Sequence, residues 1–418
     1  MRMHPADRVR RRVLTVSTCV VLATSIAGCG GGEHEVTGVS LPPPLSTRAA
    51  VTDPEVTTTT GPPTTTTEAP TTTEAPTTTY VPAPAGPPSS IAEEYHTGGG
   101  RRPRTPCTPG PDMGQLVQGA NCRHLLIDGM VREYVVYVPA TAVRENLNSL
   151  VVMLHGDGGN GDDFLKGSGW KGRADEKGIV VAMPTALEYD PIDPRINGWS
   201  SRWNGYLLRD EIMTDERVPG YPDGAPMPAD DATFVMRMIA DIEYQWPINP
   251  AQVFIGGLQS GADLAMRLAI ESPDTFAAVA LIGDGLGSAE IPLPAPTKSV
   301  PVLMIVGTAD AGFAEIATKP DQDQTIPLAS DAFAASPVGY FVLSRLAGVT
   351  GTDGATAAVD SDDHKTTITM SGAGIGGGLG KVQLDVVEGL PAAYPAANNN
   401  LATMFGTVEI ANFFMPPD

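Results

Sequence analysis

A five-residue turn, Gly257-Leu258-Gln259-Ser260-Gly261, has the glycine spacing that presents a nucleophile for acyl transfer. In a Gly-x-Ser-x-Gly turn between a strand and a helix, small flanks allow a strained backbone to expose a serine at its tip. Here Gly257 and Gly261 are the correctly spaced flanks, and the residue between them is Gln259. Ser260 follows one position later, where its flanks would include the bulky Leu258. The turn therefore predicts the backbone of a nucleophile elbow whose tip lacks a nucleophilic side chain.

The elements around this turn alternate between two patterns. Short, continuously apolar runs indicate strands that are buried on both faces; they lie at 133–139, 149–156, 178–184, 252–257, 276–284, 300–310 and 381–389. Helical stripes lie between them, with Phe234, Met238, Ile239 and Ile242 on one helix. Alternation of strand and helix predicts an α/β fold with a mostly parallel central sheet flanked by helices.

Residues 188–228 do not fit this alternation, because they are rich in proline, glycine and aromatic residues. We expect an excursion above the sheet. Two interpretations of its aromatic side chains stay open: they line a cleft, or they cover a small core belonging to the excursion. The candidates are Tyr189, Trp199, Trp203, Tyr206 and Tyr221.

Several motifs occur in an order that resembles one family. They are "VVMLHGDGGNGDDF", "GWKGRADEKGIVVAMP", "INPAQVFIGGLQSGADLAMRLA" and "VPVLMIVGTAD". Together they resemble secreted polyhydroxybutyrate-depolymerase-like and feruloyl esterases, closely over about 133–310 and loosely beyond. The resemblance implies an α/β-hydrolase fold and carboxylic-ester hydrolysis by a serine, a histidine and an acid.

The resemblance also assigns roles by position. Backbone N–H groups of Asp157 and Ser260 would form the oxyanion hole, and Asp310 matches the acid. The histidine would precede an aromatic-proline pair late in the chain. If Tyr394-Pro395 is that pair, the histidine position is Ala392, and the sequence has no histidine after His364.

Two departures from the family therefore coincide, since the tip lacks a nucleophile and the late loop lacks a base. A serine without its base loses assistance worth about 10²–10⁴-fold in rate. We expect no intact catalytic set. Replacements stay open: Ser260 as nucleophile, His364 as base, or Asp284 as acid, with His155 expected to brace its own turn.

The N-terminal 1–28 has a basic start and an apolar run, which is typical of a secretory signal. It is followed by Cys29 in a sequence that resembles the bacterial lipoprotein box, which predicts lipidation of Cys29; an ordinary cleaved signal with an incidental cysteine is the alternative. The next segment, 29–106, is rich in threonine and proline and is predicted to be a disordered tether. The folded domain is predicted over 107–418, in the bacterial cell envelope or released outside the cell.

The cysteines and the net charge of the chain bear on its disulfide and on its possible partners. Cys107 and Cys122 are the two cysteines of the predicted domain, and they indicate a disulfide, with two buried free thiols as the alternative. A net charge of −21 argues against nucleic acid or an anionic membrane surface as partner. We expect no cofactor, no metal site, and membrane contact only through the lipid.

Three functional interpretations follow. The first is a surface lipoprotein whose inactive esterase-like domain binds an ester, polyester or glycan ligand, or a partner. The second is an active esterase that uses Ser260 with an unrecognised base. The third is an envelope protein with a purely structural role.

Overall fold

A computed structural model describes residues 101–107, 114–189, 200–208, 229–353 and 355–417. All of them lie in the second of the two units into which the chain divides, Thr37–Asp418. The predicted signal, Cys29, positions 30–100 of the predicted tether, Trp199 and Tyr221 lie outside the described residues. Residues 101–106, predicted as the end of the disordered tether, are described and include a strand, Arg101–Arg102, that pairs with Glu188–Tyr189. Within the described residues, no helix combines the length and apolar character that crossing a bilayer requires.

The main sheet has ten strands in the order β2-β3-β5-β4-β8-β9-β10-β13-β12-β11. The strands are β2 (Gly119–Ile127), β3 (Met130–Val138), β4 (Asn148–Leu154), β5 (Val180–Pro184), β8 (Ile248–Leu258), β9 (Ala278–Ile282), β10 (Val302–Gly307), β11 (Ala357–Ser361), β12 (Lys365–Gly372) and β13 (Gly380–Val387). The central six, from β5 to β13, run parallel, and antiparallel strands complete both edges. The predicted mostly parallel sheet is confirmed.

Helices pack on both faces of this sheet. They are α1 (Gly161–Gly167), α2 (Trp170–Lys177), α3 (Asp231–Gln245), α4 (Ser260–Glu271), α5 (Ala311–Ala317), α6 (Ser330–Ala335), α7 (Pro337–Thr350) and α8 (Gly406–Phe414). Alternate residues of one strand enter different cores: Leu150 and Val152 join the cluster with α3 and α4, while Val151 and Met153 join the cluster with α2 and α8. Two buried faces explain why the strands are continuously apolar, and the α/β-hydrolase fold expected from the sequence is confirmed.

The described parts of the excursion begin with a small three-stranded sheet. Its strands are β1 (Arg101–Arg102), β6 (Glu188–Tyr189) and β7 (Ser200–Ser201). Tyr189 is buried in a separate apolar cluster with Met130, Leu187 and Leu208. Tyr189 therefore covers a small core that the excursion shares with Met130 of β3.

A disulfide fixes the entry of the domain. Cys107 is bonded to Cys122 of β2, with their Cα atoms 5.9 Å apart. The predicted disulfide is confirmed, and two free thiols are excluded in this structure. The bond holds the segment before β2 against the sheet.

Candidate functional site

The residues singled out from the sequence gather at the carboxyl ends of neighbouring parallel strands, where α/β folds place their sites. Gln259 follows β8, and its backbone N–H donates to the carbonyl of Ile282 at the end of β9 at 3.0 Å. Asp157 comes after β4, and Asp310 after β10. The sheet order therefore brings the glutamine turn, the predicted oxyanion turn and the predicted acid to one edge.

Gln259 has the backbone geometry of a nucleophile elbow. Its φ and ψ are 52° and −124°, a backbone conformation that residues other than glycine rarely adopt. The turn is sharp because β8 and α4 cross almost in contact: a Cβ built on Gly257 would lie 2.2 Å from the carbonyl carbon of Gly261. The strained tip and its glycine flanks are thus retained around a residue that cannot attack an ester.

The Gln259 side chain bridges two loops across the site. Its Oε1 accepts from the backbone N–H of Asp157 at 3.1 Å. Its Nε2 donates to the carbonyl oxygen of Ala392 at 3.4 Å. Since Asp157 is a predicted oxyanion donor and Ala392 the predicted histidine position, the amide carbonyl lies where a substrate carbonyl would be expected to bind.

Ser260 is the first residue of α4. The residue is only 9% exposed. Its hydroxyl accepts from the backbone N–H of Trp203 at 3.3 Å. Among the described residues its recorded partner is therefore a backbone amide, which cannot remove its proton.

His155 braces the turn after β4, as expected. Its Nε2 accepts from the Ala186 N–H at 3.0 Å, and its Nδ1 lies 2.7 Å from the carbonyl oxygen of Gly156. The ring is therefore neutral, with its proton on Nδ1. Burial lowers the pKa of His155 to about 4, which makes it a poor base for Ser260 at neutral pH.

The two candidate acids are buried without a histidine partner among the described residues. Asp310 is 3% exposed and caps α5 by accepting from the Phe313 N–H at 3.0 Å. Burial raises the pKa of Asp310, and both burial and the adjacent Asp263 carboxylate raise the pKa of Asp284 well above its ordinary value. The capping role of Asp310 is the one that the geometry supports.

His364, the candidate replacement base, immediately precedes β12 and lies beside Glu388, which follows β13. Its Nδ1 lies 2.6 Å from Glu388 Oε2, and its side chain is about half exposed. That hydrogen bond raises the pKa of His364. The ring is engaged in a surface ion pair, which agrees with the surface histidine that the sequence favours.

The aromatic residues of the excursion take different places from those expected of a cleft wall. Trp203 is fully buried, donates from Nε1 to the carbonyl of His155 at 3.0 Å and packs against its ring. The alternative in which Trp203 lines a cleft is therefore wrong for this structure, because its indole is buried against the turn after β4. Tyr206 is partly buried against the same core, and Trp199 is outside the described residues.

One cluster was missed by sequence reasoning, which expected no metal site. Ligating atoms of Cys107, Cys122, His124 and Glu133 all lie within 4.8 Å of one another. The predicted disulfide joins Cys107 to Cys122, but the sequence does not show that His124 and Glu133 lie beside that bond. The pairing of β2 with β3 was the available clue.

Among the described residues, the carboxyl edge does not bring together the groups that serine hydrolysis uses. A nucleophile, a base in reach of it and a free oxyanion hole are all required for serine hydrolysis. In the described residues the tip is an amide, Ser260 is buried, and the Asp157 N–H is occupied by Gln259.

Comparisons with known proteins support an esterase-like domain at a coarse level. No protein-family model matches the chain. A protein of Nocardia uniformis subsp. tsuyamanensis named "Putative esterase NocK" is 28% identical over 226 residues, which is 53% of this chain and 55% of that protein. The chain thus spans about half the length of the curated relative that it matches.

Two solved structures resemble the chain in fold. An acetyl xylan esterase from Aspergillus awamori is 14% identical, with a TM-score of 0.42, over 70% of this chain and 98% of the other. An S-formylglutathione hydrolase from Agrobacterium tumefaciens is 13% identical, with a TM-score of 0.45, over 72% and 98%. Together with the sheet order and the retained elbow, the relationship to NocK makes the described part of this chain an esterase-like α/β-hydrolase domain.

Proposed function

We propose that the chain is an exported lipoprotein whose esterase-like domain does not hydrolyse esters and instead binds a ligand or a partner at the carboxyl edge of its sheet. The signal-like 1–28, Cys29 and the threonine- and proline-rich segment support anchoring outside the cell. The ligand classes are small esters, polyester fragments or glycans, by analogy with esterases alone.

The observation that carries this proposal is the position of the Gln259 amide. Its carbonyl accepts from Asp157 and its amino group donates to Ala392, so the side chain fills the space between the predicted oxyanion hole and Ala392, the position at which the resemblance places the histidine. A substrate carbonyl would have to displace an internal hydrogen bond before it could be polarised. Even then, the turn offers no group that can attack it.

Retention of the strained tip supports a binding role over loss of the whole site. Gly156 still approaches the tip so closely that a Cβ there would lie 2.6 Å from Gln259 Oε1. Asp157 and Arg202 form an ion pair at 3.1 Å beside the turn. These groups give the edge polar contacts for a ligand without requiring chemistry.

The competing interpretation is an active esterase that uses Ser260 as its nucleophile. It predicts that a serine-reactive probe labels Ser260. Purified full-length protein would be treated with a fluorophosphonate, and its intact mass and its hydrolysis of short-chain esters would be measured. We expect neither an adduct nor turnover. An adduct that disappears in Ser260→Ala would overturn the proposal and make the chain an esterase with a displaced nucleophile.

A rebuilt variant serves as the positive control. Gln259→Ser with Ala392→His restores a nucleophile at the tip and an imidazole in the late loop. We expect it to react with the probe and to hydrolyse esters about 10²–10⁴-fold faster than Gln259→Ser alone, because general-base assistance contributes that factor. Reactivity of this variant beside a silent natural chain shows that the probe reaches the site.

The binding role has its own measurement. Ligand-observed NMR would test short acyl esters, aromatic esters and oligosaccharides against the natural chain and against Gln259→Trp, which blocks the edge. We expect the NMR signals of one ligand class to broaden in the presence of the natural chain. With Gln259→Trp, the same signals are expected to stay sharp. If no class does so, the third interpretation, a structural role, is favoured.

A further inference from the structure

The pairing of β2 with β3 places four metal-ligating side chains in one corner of the sheet. His124 of β2 lies directly opposite Glu133 of β3. Cys122 precedes His124 by two residues and therefore projects from the same face of β2. The disulfide brings Cys107 to this face, so that one ligating atom from each residue lies within 4.8 Å of all the others.

The histidine and the glutamate already have the separation that a metal requires. His124 Nε2 is buried, makes no hydrogen bond among the described residues, and lies 3.7 Å from Glu133 Oε2. Tetrahedral Zn²⁺, with bonds of about 2.0–2.3 Å, places its ligand atoms roughly 3.3–3.8 Å apart. Buried polar atoms normally have a hydrogen-bond partner, so this ring nitrogen beside a carboxylate has room for a ligand such as a metal ion.

The carboxylate is also oriented as a metal ligand would be. Glu133 is fully buried. Its Oε2 accepts from the Cys107 N–H at 2.8 Å, and its Oε1 accepts from the Thr185 hydroxyl at 3.2 Å. Supporting hydrogen bonds of this kind fix the orientation of carboxylate ligands at metal sites.

We propose that reduction of the Cys107–Cys122 disulfide converts this corner into a Zn²⁺ site formed by Cys107, Cys122, His124 and Glu133. A dithiol reductant transfers two electrons and two protons to the disulfide and becomes a cyclic disulfide itself, leaving two cysteine thiols. Zn²⁺ binding then releases both thiol protons, and the two thiolates, one imidazole and one carboxylate complete the coordination. In the disulfide form the sulfurs are bonded to each other and the site does not form.

Four protein ligands make the site structural in kind, because no position is open for water or substrate. Its effect would be to hold the segment around Cys107 on β2 after the disulfide is lost. The same corner thus fastens the entry of the domain by a covalent bond when oxidised and by a metal when reduced. The proposal does not depend on whether the carboxyl edge is catalytic.

The test uses the full-length chain with Cys19→Ser and Cys29→Ser, which leaves Cys107 and Cys122 as its only cysteines. The protein would be reduced with dithiothreitol, desalted without oxygen and given Zn²⁺ in competition with a chromophoric chelator, with native mass spectrometry for stoichiometry. Co²⁺ would replace Zn²⁺ to detect thiolate-to-metal charge transfer. We expect one metal per reduced chain and none per oxidised chain.

His124→Asn removes one ligand while keeping a polar side chain, and His364→Ala is the matched control on an exposed histidine. We expect affinity to fall by more than about 100-fold in the first, beyond the range seen when a supporting group is lost, and to stay unchanged in the second. Failure of the reduced parent to bind one Zn²⁺, or equal affinity in His124→Asn, overturns the proposal. The redox comparison within the parent needs no variant, so a folding defect in His124→Asn leaves the test intact.

Discussion

Gln259 combines an unfavourable backbone with a favourable side chain. At φ 52° and ψ −124°, a residue with a Cβ is strained by about 1–3 kcal/mol. The amide partly offsets this strain through its hydrogen bonds to Asp157 and Ala392. Its two contributions can be separated, because alanine and glycine both remove the amide but only glycine removes the strain.

We therefore expect Gln259→Gly to be more stable than Gln259→Ala by about 1 kcal/mol. The expected strain relief of about 1–3 kcal/mol exceeds the extra unfolded-state freedom of glycine, about 0.5–1 kcal/mol. Urea unfolding of the two variants measures the difference. Equal stability, or a more stable alanine variant, would contradict a strained tip.

The control is a glycine in an ordinary helical position. Gly172 lies in α2, is exposed, and a Cβ there meets nothing within 4 Å. Gly172→Ala is expected to stabilise the protein by about 0.5–1 kcal/mol. The preference between glycine and alanine is thus expected to have opposite signs at the two sites.

At this scale the sequence predicts which residue occupies the tip but not what its side chain does. Glycine spacing places Gln259 between β8 and α4 without any knowledge of tertiary structure. The bridge to Ala392 depends on a contact between residues 133 positions apart, which local patterns do not encode. Trp203 shows the same limit, since its burial under His155 follows from how the excursion folds back.

Among the elements, the crossing of β8 and α4 leaves no room for added volume. A Cβ on Gly257 would lie 2.2 Å from the carbonyl carbon and oxygen of Gly261, which are backbone atoms in a helix. A Cβ on Gly261 would lie 2.6 Å from the carbonyl oxygen of His155. The strand, the helix and the turn after β4 are therefore fixed against one another.

We expect Gly257→Ala to destabilise the protein by about 3 kcal/mol, the upper end of the usual cost of overpacking, because a contact with backbone cannot be relieved by a rotamer change. Thermal unfolding followed by circular dichroism measures the loss. Gly167→Ala, at the exposed end of α1 with open space around it, is the control and is expected to change little. A well-tolerated Gly257→Ala would show that the two elements are free to separate.

Elements with a strong period were predictable, and contacts between segments distant in sequence were not. Continuous apolar runs identified the parallel strands because each is buried on two faces. The corner of Cys122, His124 and Glu133 requires the register of β2 on β3, which side-chain alternation does not fix by itself. Its fourth member, Cys107, comes from a segment without a repeating pattern.

For the whole molecule, His155 links stability to pH. Its pKa is about 4 in the folded protein, because burial disfavours the charged ring, against an ordinary value of 6.5 when unfolded. Above pH 6.5 the ring is neutral in both states and contributes nothing to pH dependence. Between pH 6.5 and 4 the unfolded chain binds a proton that the folded chain does not, so stability falls as pH falls.

The free energy of unfolding would be measured in urea at pH 7.5 and pH 5.0 for the natural chain and for His155→Gln, whose amide can still accept from Ala186 and donate to Gly156. Each pH unit below 6.5 costs about 1.4 kcal/mol, so the natural chain is expected to lose about 2 kcal/mol more stability than the variant over this interval.

The difference between the natural chain and His364→Gln should have the opposite sign, because the hydrogen bond to Glu388 raises the pKa of His364 and favours the folded state at low pH. The natural chain is then expected to lose less than that variant on acidification. An equal loss in the natural chain and His155→Gln would mean that water reaches the His155 ring, and that the turn after β4 opens far enough for the ring to act as a base.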